Sequence, residues 1–329
     1  MSDTVLILGA GGRFGRAAGA AFAGAGWHVR TLSLTEPGGR STPLGAKHFE
    51  HRVGDPLDPT TLDTAVRGVD VIVHAINPPY GRWAEEAVPL ARATARAAAR
   101  HGATILLPGN VYAYGAALPP RLDERTPFAP SESLGRVRAE IERVLREASE
   151  HGARTIVLRS GDFIEGRRSG NWFEDHVLAK LDAGLITYPG PLDRTHAWAW
   201  LPDLAAAAVA LATVRTRLAP FESVGFAGWS LTGGELVEAL ERIVGRPLRV
   251  RAMPWWALRL AAPFIADLRG VLSVRWLWQR AHAIDGTRFA ELCPDFRALD
   301  SDAGLALALE RLERGTATTT LAPAPENAR

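Results

Sequence analysis

Apolar and polar positions follow one repeating order through the first half of the chain. A short apolar run, Val5-Leu6-Ile7-Leu8, leads into glycines at positions 9, 12 and 15 and then into a small-residue segment, Arg16 to Gly26, rich in alanine. This pattern predicts a buried strand turning sharply into a helix. Trp27 to Leu34 reads as the second strand, residues 35–47 as a Pro/Gly/Ser/Thr loop, and His48 to Val53 as a third strand. Val69 to Ala75, Thr104 to Pro108 and Thr155 to Arg159 read as further strands, separated by helices over Ala84 to His101 and Ser133 to Glu150. Such alternation predicts an α/β chain with a doubly wound parallel sheet and ligands at the carboxyl ends of its strands.

The stretch Gly9-Ala10-Gly11-Gly12-Arg13-Phe14-Gly15 has the spacing of a phosphate cradle. Gly9 permits the tight turn, Gly12 lets backbone approach a pyrophosphate, and Gly15 lets the helix pack closely on the strand, while the helix N-terminus offers unpaired N–H groups to an anion. A glycine triplet alone is weak, but here it sits in a strand–helix–strand unit of about thirty residues. The competing reading is a structural glycine turn without a ligand.

Beyond Gly166 the pattern changes, and eight of the ten tryptophans fall in the second half. Pro202-Asp203 opens an alanine-rich helix to Val214, and Thr232-Gly233-Gly234-Glu235 reads as a capping box ahead of a helix to Val244. The expected organisation is a dinucleotide-binding domain over 1–165, with 195–230 returning to it. A smaller C-terminal α/β substrate lid would cover 166–194 and 231–314, and 315–329 reads as a disordered tail. Trp255-Trp256 and Trp276-x-Trp278 are expected mainly in core; on a helix the latter pair would diverge by about 200°.

Composition narrows the function classes. The 329 residues are 47% hydrophobic and 22% charged, with a net charge of +2. Cations are scattered rather than clustered, which argues against a nucleic-acid footprint. Cys293 is the single cysteine, so no intrachain disulfide or thiolate metal cluster is expected. No two histidines stand four apart in sequence, and no metal is expected. With no apolar run of membrane-spanning length and no leader pattern at the amino end, a cytoplasmic protein without a membrane partner is the favoured expectation. A lesser alternative is a membrane-surface role for Ala252 to Arg280, where Arg259, Arg269, Arg275 and Arg280 interleave with aromatic and aliphatic residues.

Five stretches, Gly9 to Gly15, Gly54-Asp55, Asp70 to Ala75, Tyr112-Ala113-Tyr114-Gly115 and Leu158 to Phe163, give the chain a specific likeness. Over roughly residues 3 to 300 it resembles the extended, epimerase/dehydratase-like branch of the short-chain dehydrogenase/reductase superfamily. The resemblance implies a Rossmann-type sheet, a nicotinamide dinucleotide and a small-molecule carbonyl or alcohol substrate. It implies adenine contact at Asp55-Pro56, although a plain turn would also satisfy that aspartate. Ala75-Ile76-Asn77 would lie along the cofactor, and the segment Ser160 to Phe163, beginning Ser160-Gly161, would pass the nicotinamide. At the end of the second strand Ser33 stands where an acid would hold the ribose of NAD. Arg13 and Arg40 could instead hold a 2′-phosphate, so NADP is favoured over NAD, with Glu36 as the contrary sign.

The same resemblance exposes a departure. A Tyr-x-x-x-Lys pair is the family's proton relay, yet Leu134 and Arg138 stand at those positions. Leucine carries no proton, and arginine does not release one at accessible pH. Asn110 falls where a Ser or Thr polarises the substrate carbonyl, and Arg138 could still fix the ribose. Tyr112 and His196 are the replacement proton carriers considered first, with Tyr80 and Tyr114 behind them and a structural role open for each. An NAD(P)-dependent oxidoreductase or epimerase with a non-standard site is therefore expected. A non-catalytic NADP(H) sensor or scaffold is the alternative, and a homodimer through the two long helices is an implication of the resemblance.

Overall fold

The structure, a computed structural model, describes residues 2–35 and 49–320. Its strands are β1 (Thr4–Leu8), β2 (His28–Ser33), β3 (Phe49–Val53), β4 (Val71–His74), β5 (Thr104–Gly109), β6 (Arg121–Leu122), β7 (Arg154–Arg159), β8 (Asp162–Ile164), β9 (Leu185–Tyr188), β10 (Thr195–Trp200), β11 (Phe221–Gly225), β12 (Trp229–Thr232), β13 (Arg249–Ala252) and β14 (Ala283–Ile284). The helices are α1 (Arg13–Gly24), α2 (Pro59–Val66), α3 (Trp83–His101), α4 (Ser133–Glu150), α5 (Leu201–Thr213), α6 (Gly233–Val244), α7 (Trp255–Ala261), α8 (Ala266–Ser273), α9 (Thr287–Leu292) and α10 (Ser301–Thr320). Seven parallel strands form the central sheet in the order β11-β7-β5-β4-β1-β2-β3. This is the expected α/β, doubly wound Rossmann-type arrangement.

The apolar run at the amino end is continuous because β1 is covered on both faces. Val5 and Ile7 join α1 and α5 in one core, while Leu6 and Leu8 join α2, α3 and α4 in the other. A third core lies outside the sheet, around Phe173, Trp198, Trp200, Trp278 and Leu305. The small sheet β12-β10-β8 supplies part of this core, with Ile164, Trp198, Trp200 and Trp229 contributed from its strands. Of the stretch 195–230, α5 packs against α1 and β11 closes the edge of the central sheet, whereas β10 belongs to the small sheet.

Most element boundaries match the sequence pattern to within a residue or two, including α4 and the capping box of α6, where Thr232 and Glu235 satisfy each other's backbone donors. Helix α10 runs from Ser301 to Thr320 with Leu305, Ala308 and Leu309 in the third core, and residues 321–329 lie outside the described ones. One expectation needs correction. Trp256 is 69% exposed while Trp255 is buried, since neighbouring positions on α7 diverge by about 100°. Trp276 and Trp278 sit on a short 3-10 turn, Arg275–Gln279, with Trp278 in the core.

Candidate active site

The carboxyl ends of β1, β4, β5 and β7 meet at one edge, and the glycine turn after β1 is built against β4. Gly9 has φ +87°, and a Cβ there would lie 2.6 Å from the backbone of Ala75. A Cβ on Gly15 would strike the carbonyl of Gly9, so both positions exclude side chains for steric reasons. The Gly12 N–H bonds the Gly9 carbonyl at 2.9 Å, and a side chain on Gly11 would point into open space. Gly12 caps α1 without a side chain, and the first turn of α1 holds no acid, so its N–H groups remain available to an anion. These residues fit a dinucleotide pyrophosphate.

Around the cradle the other cofactor candidates have definite surroundings. Phe14 is buried, with its ring 6.5 Å from that of Phe163. Ala75 continues the ladder by bonding the Leu8 carbonyl at 2.9 Å; Ile76 is half-buried and Asn77 exposed. Ser160 is buried and bonds the Gly109 carbonyl at 3.1 Å, and Gly161 passes too close to Ala197 for any side chain. Asp55 accepts the Leu57 N–H at 2.8 Å in the turn before α2, beside the half-buried Pro56. At the end of β2, the Ser33 hydroxyl donates to the Thr35 carbonyl at 2.7 Å. Arg13 turns elsewhere: its guanidinium donates to the Ser169 side chain at 3.0 Å and lies 3.8 Å from Glu165. Arg40 and Glu36 lie outside the described residues.

Next to the cradle stand the groups able to move protons. Tyr80, from the loop after β4, and Tyr112, from the turn after β5, place their hydroxyls 3.0 Å apart. Burial raises the pKa of Tyr80 and drives that of Tyr112 far up, and the Asp162 carboxylate adds to both shifts. Arg138 opposes them with its positive charge. Its Nε is buried without a hydrogen-bond partner, and its guanidinium carbon lies 5.4 Å from the centroid of the Trp83 ring. Burial lowers the pKa of Arg138, a pull that Glu142, one turn further along α4, resists.

Asn110 spends its side-chain oxygen on the Tyr112 N–H at 3.1 Å, so the donor it presents further is its NH₂ group. Its carbonyl is clasped by Arg159 at 2.6 Å, and Arg159 in turn makes a buried two-pronged pair with Glu142 at 3.1 and 2.8 Å. That pair ties the end of β7 to α4 and to the Asn110 turn. Leu134 is buried in the same core as Tyr112. Gly135 beside it presses directly on the Tyr112 carbonyl.

His196 joins the site through a partner that the sequence pattern did not single out. Its Nε2 lies 2.8 Å from Asp162 Oδ2, and its ring stacks on Trp278 with centroids 3.9 Å apart and planes 2° from parallel. His282 meets it edge-on at 4.7 Å. His196 is 2% exposed, whereas the Asp162 side chain keeps 20% of its surface, so the carboxylate is the member that meets solvent. The sequence placed Asp162 in the segment expected to pass the nicotinamide without a role of its own and Trp278 mainly in core, and it did not mark His282. A role for Asp162 was findable, since it stands three residues beyond Arg159 at the carboxyl end of β7, where chemistry is expected.

The sequence pattern of the family described as NAD dependent epimerase/dehydratase matches residues 5–222. The chain belongs to this family. It is 26% identical over 216 residues to D-erythronate dehydrogenase of Cupriavidus necator, an alignment covering 63% of this chain and 64%, under two thirds, of that protein. In structure it is similar to UDP-N-acetylglucosamine 4-epimerase from Bacillus cereus, with TM-score 0.72 and 15% identity over 95% of this chain and 100% of that one. It is likewise similar to dTDP-glucose 4,6-dehydratase from Bacillus anthracis in complex with NAD, with TM-score 0.76 and 13% identity over 96% and 98% of the two chains. At those identities the structural likeness speaks to the fold.

Proposed function

We propose that this family member interconverts a small-molecule alcohol and its carbonyl compound, or passes through the carbonyl as an epimerase does, using two phenols and an aspartate in place of the missing tyrosine–lysine pair. The observation that carries this reading is the Tyr80–Tyr112 hydroxyl contact, lying in the field of Asp162 and Arg138. When bound, the nicotinamide supplies the hydride exchange with the substrate carbon.

The chain's residues would divide the remaining work. Gly9, Gly11, Gly12 and Gly15 hold the pyrophosphate at the start of α1, with Arg13, Phe14, Ser33, Asp55, Pro56, Ala75 to Asn77 and Ser160-Gly161 along the rest of the dinucleotide. Asn110 donates its NH₂ to the substrate oxygen. Two phenols in mutual contact leave one O–H proton uncommitted; Tyr80, the half-buried member, offers it to that oxygen and Tyr112 backs it. Their raised pKa values keep both phenols protonated, which suits carbonyl reduction. In the opposite direction the alcohol proton returns to the same phenol pair, and Asp162, its carboxylate held in place by His196, draws it from them. Arg138 supplies the positive charge that the family lysine would give. The third-core half, residues 166–194 and 231–314, acts as the substrate lid.

For the cofactor, the preference for NADP over NAD rests on Ser33 in place of an acid, because Arg13 is committed to Ser169 and Glu165. Steady-state assays with NADH and NADPH against a panel of sugar-derived, hydroxy-acid and aromatic carbonyls test the reading. Multiple turnovers on one class are expected, and Asp162→Asn should slow alcohol oxidation by about 10²-fold without weakening dinucleotide binding. Dinucleotide binding with no turnover across the panel would favour a sensor instead.

A further inference from the structure

We propose that the α7–α8 hairpin docks the protein on an anionic lipid surface. Trp256 is 69%, Leu260 68%, Phe264 88% and Ile265 50% exposed, all within ten residues of sequence. Trp256 and Leu260 stand one turn apart on α7, and Phe264 and Ile265 occupy the bend that leads into α8. Four large apolar side chains presented together at one bend are unusual on a surface that meets only water.

Charge says what covers them. Residues 249–280 contain six arginines, no lysine and a single acid, a net of +5 in a chain whose total is +2, so the remainder carries −3. Arg249, Arg259, Arg269 and Arg280 are exposed, and none of them forms an ion pair with a described side chain. Arg259 directly precedes Leu260, so cations flank the apolar tip. A two-fold contact between copies would set this patch against itself and oppose like charges. A bilayer bearing anionic headgroups complements both halves of it: the aromatic and aliphatic side chains enter the interface, and the guanidinium groups meet phosphates. No helix among the described residues is long and apolar enough to cross a membrane, so the contact lies on the surface.

The hairpin's other side is built into the site's wall. Trp255 packs 6.0 Å from Trp172 and donates to the Pro189 carbonyl at 2.8 Å, and Gly270 of α8 lies against the Tyr80 ring. Docking would therefore bring the mouth of the site to the headgroup region.

Co-sedimentation of the full chain with vesicles of phosphatidylcholine alone, or of phosphatidylcholine mixed with phosphatidylglycerol, tests the proposal. Binding to the mixed vesicles is expected, weakening as salt rises, and falling about tenfold or more in the double variant Trp256→Ser/Phe264→Ser. Both side chains are exposed, so that variant should keep the wild-type melting temperature. Absence of binding to mixed vesicles at low salt would overturn the proposal, as would undiminished binding by the double variant. Concentration-dependent dimerisation that the double variant abolishes, without vesicle binding, would overturn it in favour of a second copy of the chain.

Discussion

The hydroxyls of Tyr80 and Tyr112 lie 3.0 Å apart although the residues are 32 positions apart in sequence and come from loops after different strands. The contact follows from strand order: β4 and β5 are neighbours, so their carboxyl-end loops emerge side by side. If the two phenols form one donor unit, removing either hydroxyl disables it. Tyr80→Phe and Tyr112→Phe should each slow carbonyl reduction by about 10²-fold, and the double variant should be little slower than either single one. Additive losses measured as kcat/KM would separate the two residues into independent roles.

The Arg159–Glu142 pair makes a stability prediction. Both side chains are about 5% exposed, so Glu142→Gln leaves a guanidinium buried without its counter-charge. A loss of roughly 3–5 kcal/mol in denaturant unfolding is expected. Arg159 also clasps the Asn110 carbonyl, so turnover should fall with stability.

Glu174 makes stability fall on the alkaline side. Its carboxyl is fully buried, one oxygen accepting the Glu165 and Gly166 N–H groups and the other without a partner, and burial lifts its pKa from 4.5 to about 7. A raised folded pKa means the proton is held more tightly in the folded chain, so this contribution is full below pH 4.5 and is lost as pH rises through about 7. The unfolding free energy of wild type relative to Glu174→Gln should drop by on the order of 2–3 kcal/mol between about pH 4.5 and about pH 8.

His282 works in the other direction. Burial, with the neighbouring His196, lowers its pKa from 6.5 to about 3. Its neutral form therefore contributes fully above pH 6.5, and that contribution is lost as pH falls toward about 3. Compared with His282→Gln, wild type should lose on the order of 2–3 kcal/mol between about pH 7 and about pH 4.5, read by urea unfolding at each pH.

Local patterns made much of the Rossmann half legible. The glycine spacing located a cradle that the backbone builds, and the periodicity of residues 133–150 marked α4 to the residue. Contacts set by tertiary register were less visible. Asp162 meets His196 because β8 and β10 pair in a small sheet of their own, a pairing that no local spacing announces. Arg13 carried a charge argument for NADP, but loop 165–170 folds back over the glycine turn and claims its guanidinium. Trp256 looked like core by composition, and only the phase of a seven-residue helix turns it outward.

The most direct test of the central claim is titration of the purified chain with NADH and NADPH, following quenching of tryptophan fluorescence, alongside the variant Gly9→Ala. Saturable binding of at least one dinucleotide is expected, lost or weakened at least about tenfold in the variant, whose Cβ would meet the Ala75 backbone at 2.6 Å. Absence of binding to the wild-type chain at millimolar concentration, or equal binding by Gly9→Ala, would contradict the glycine cradle as the dinucleotide site, and with it the catalytic reading built beside it.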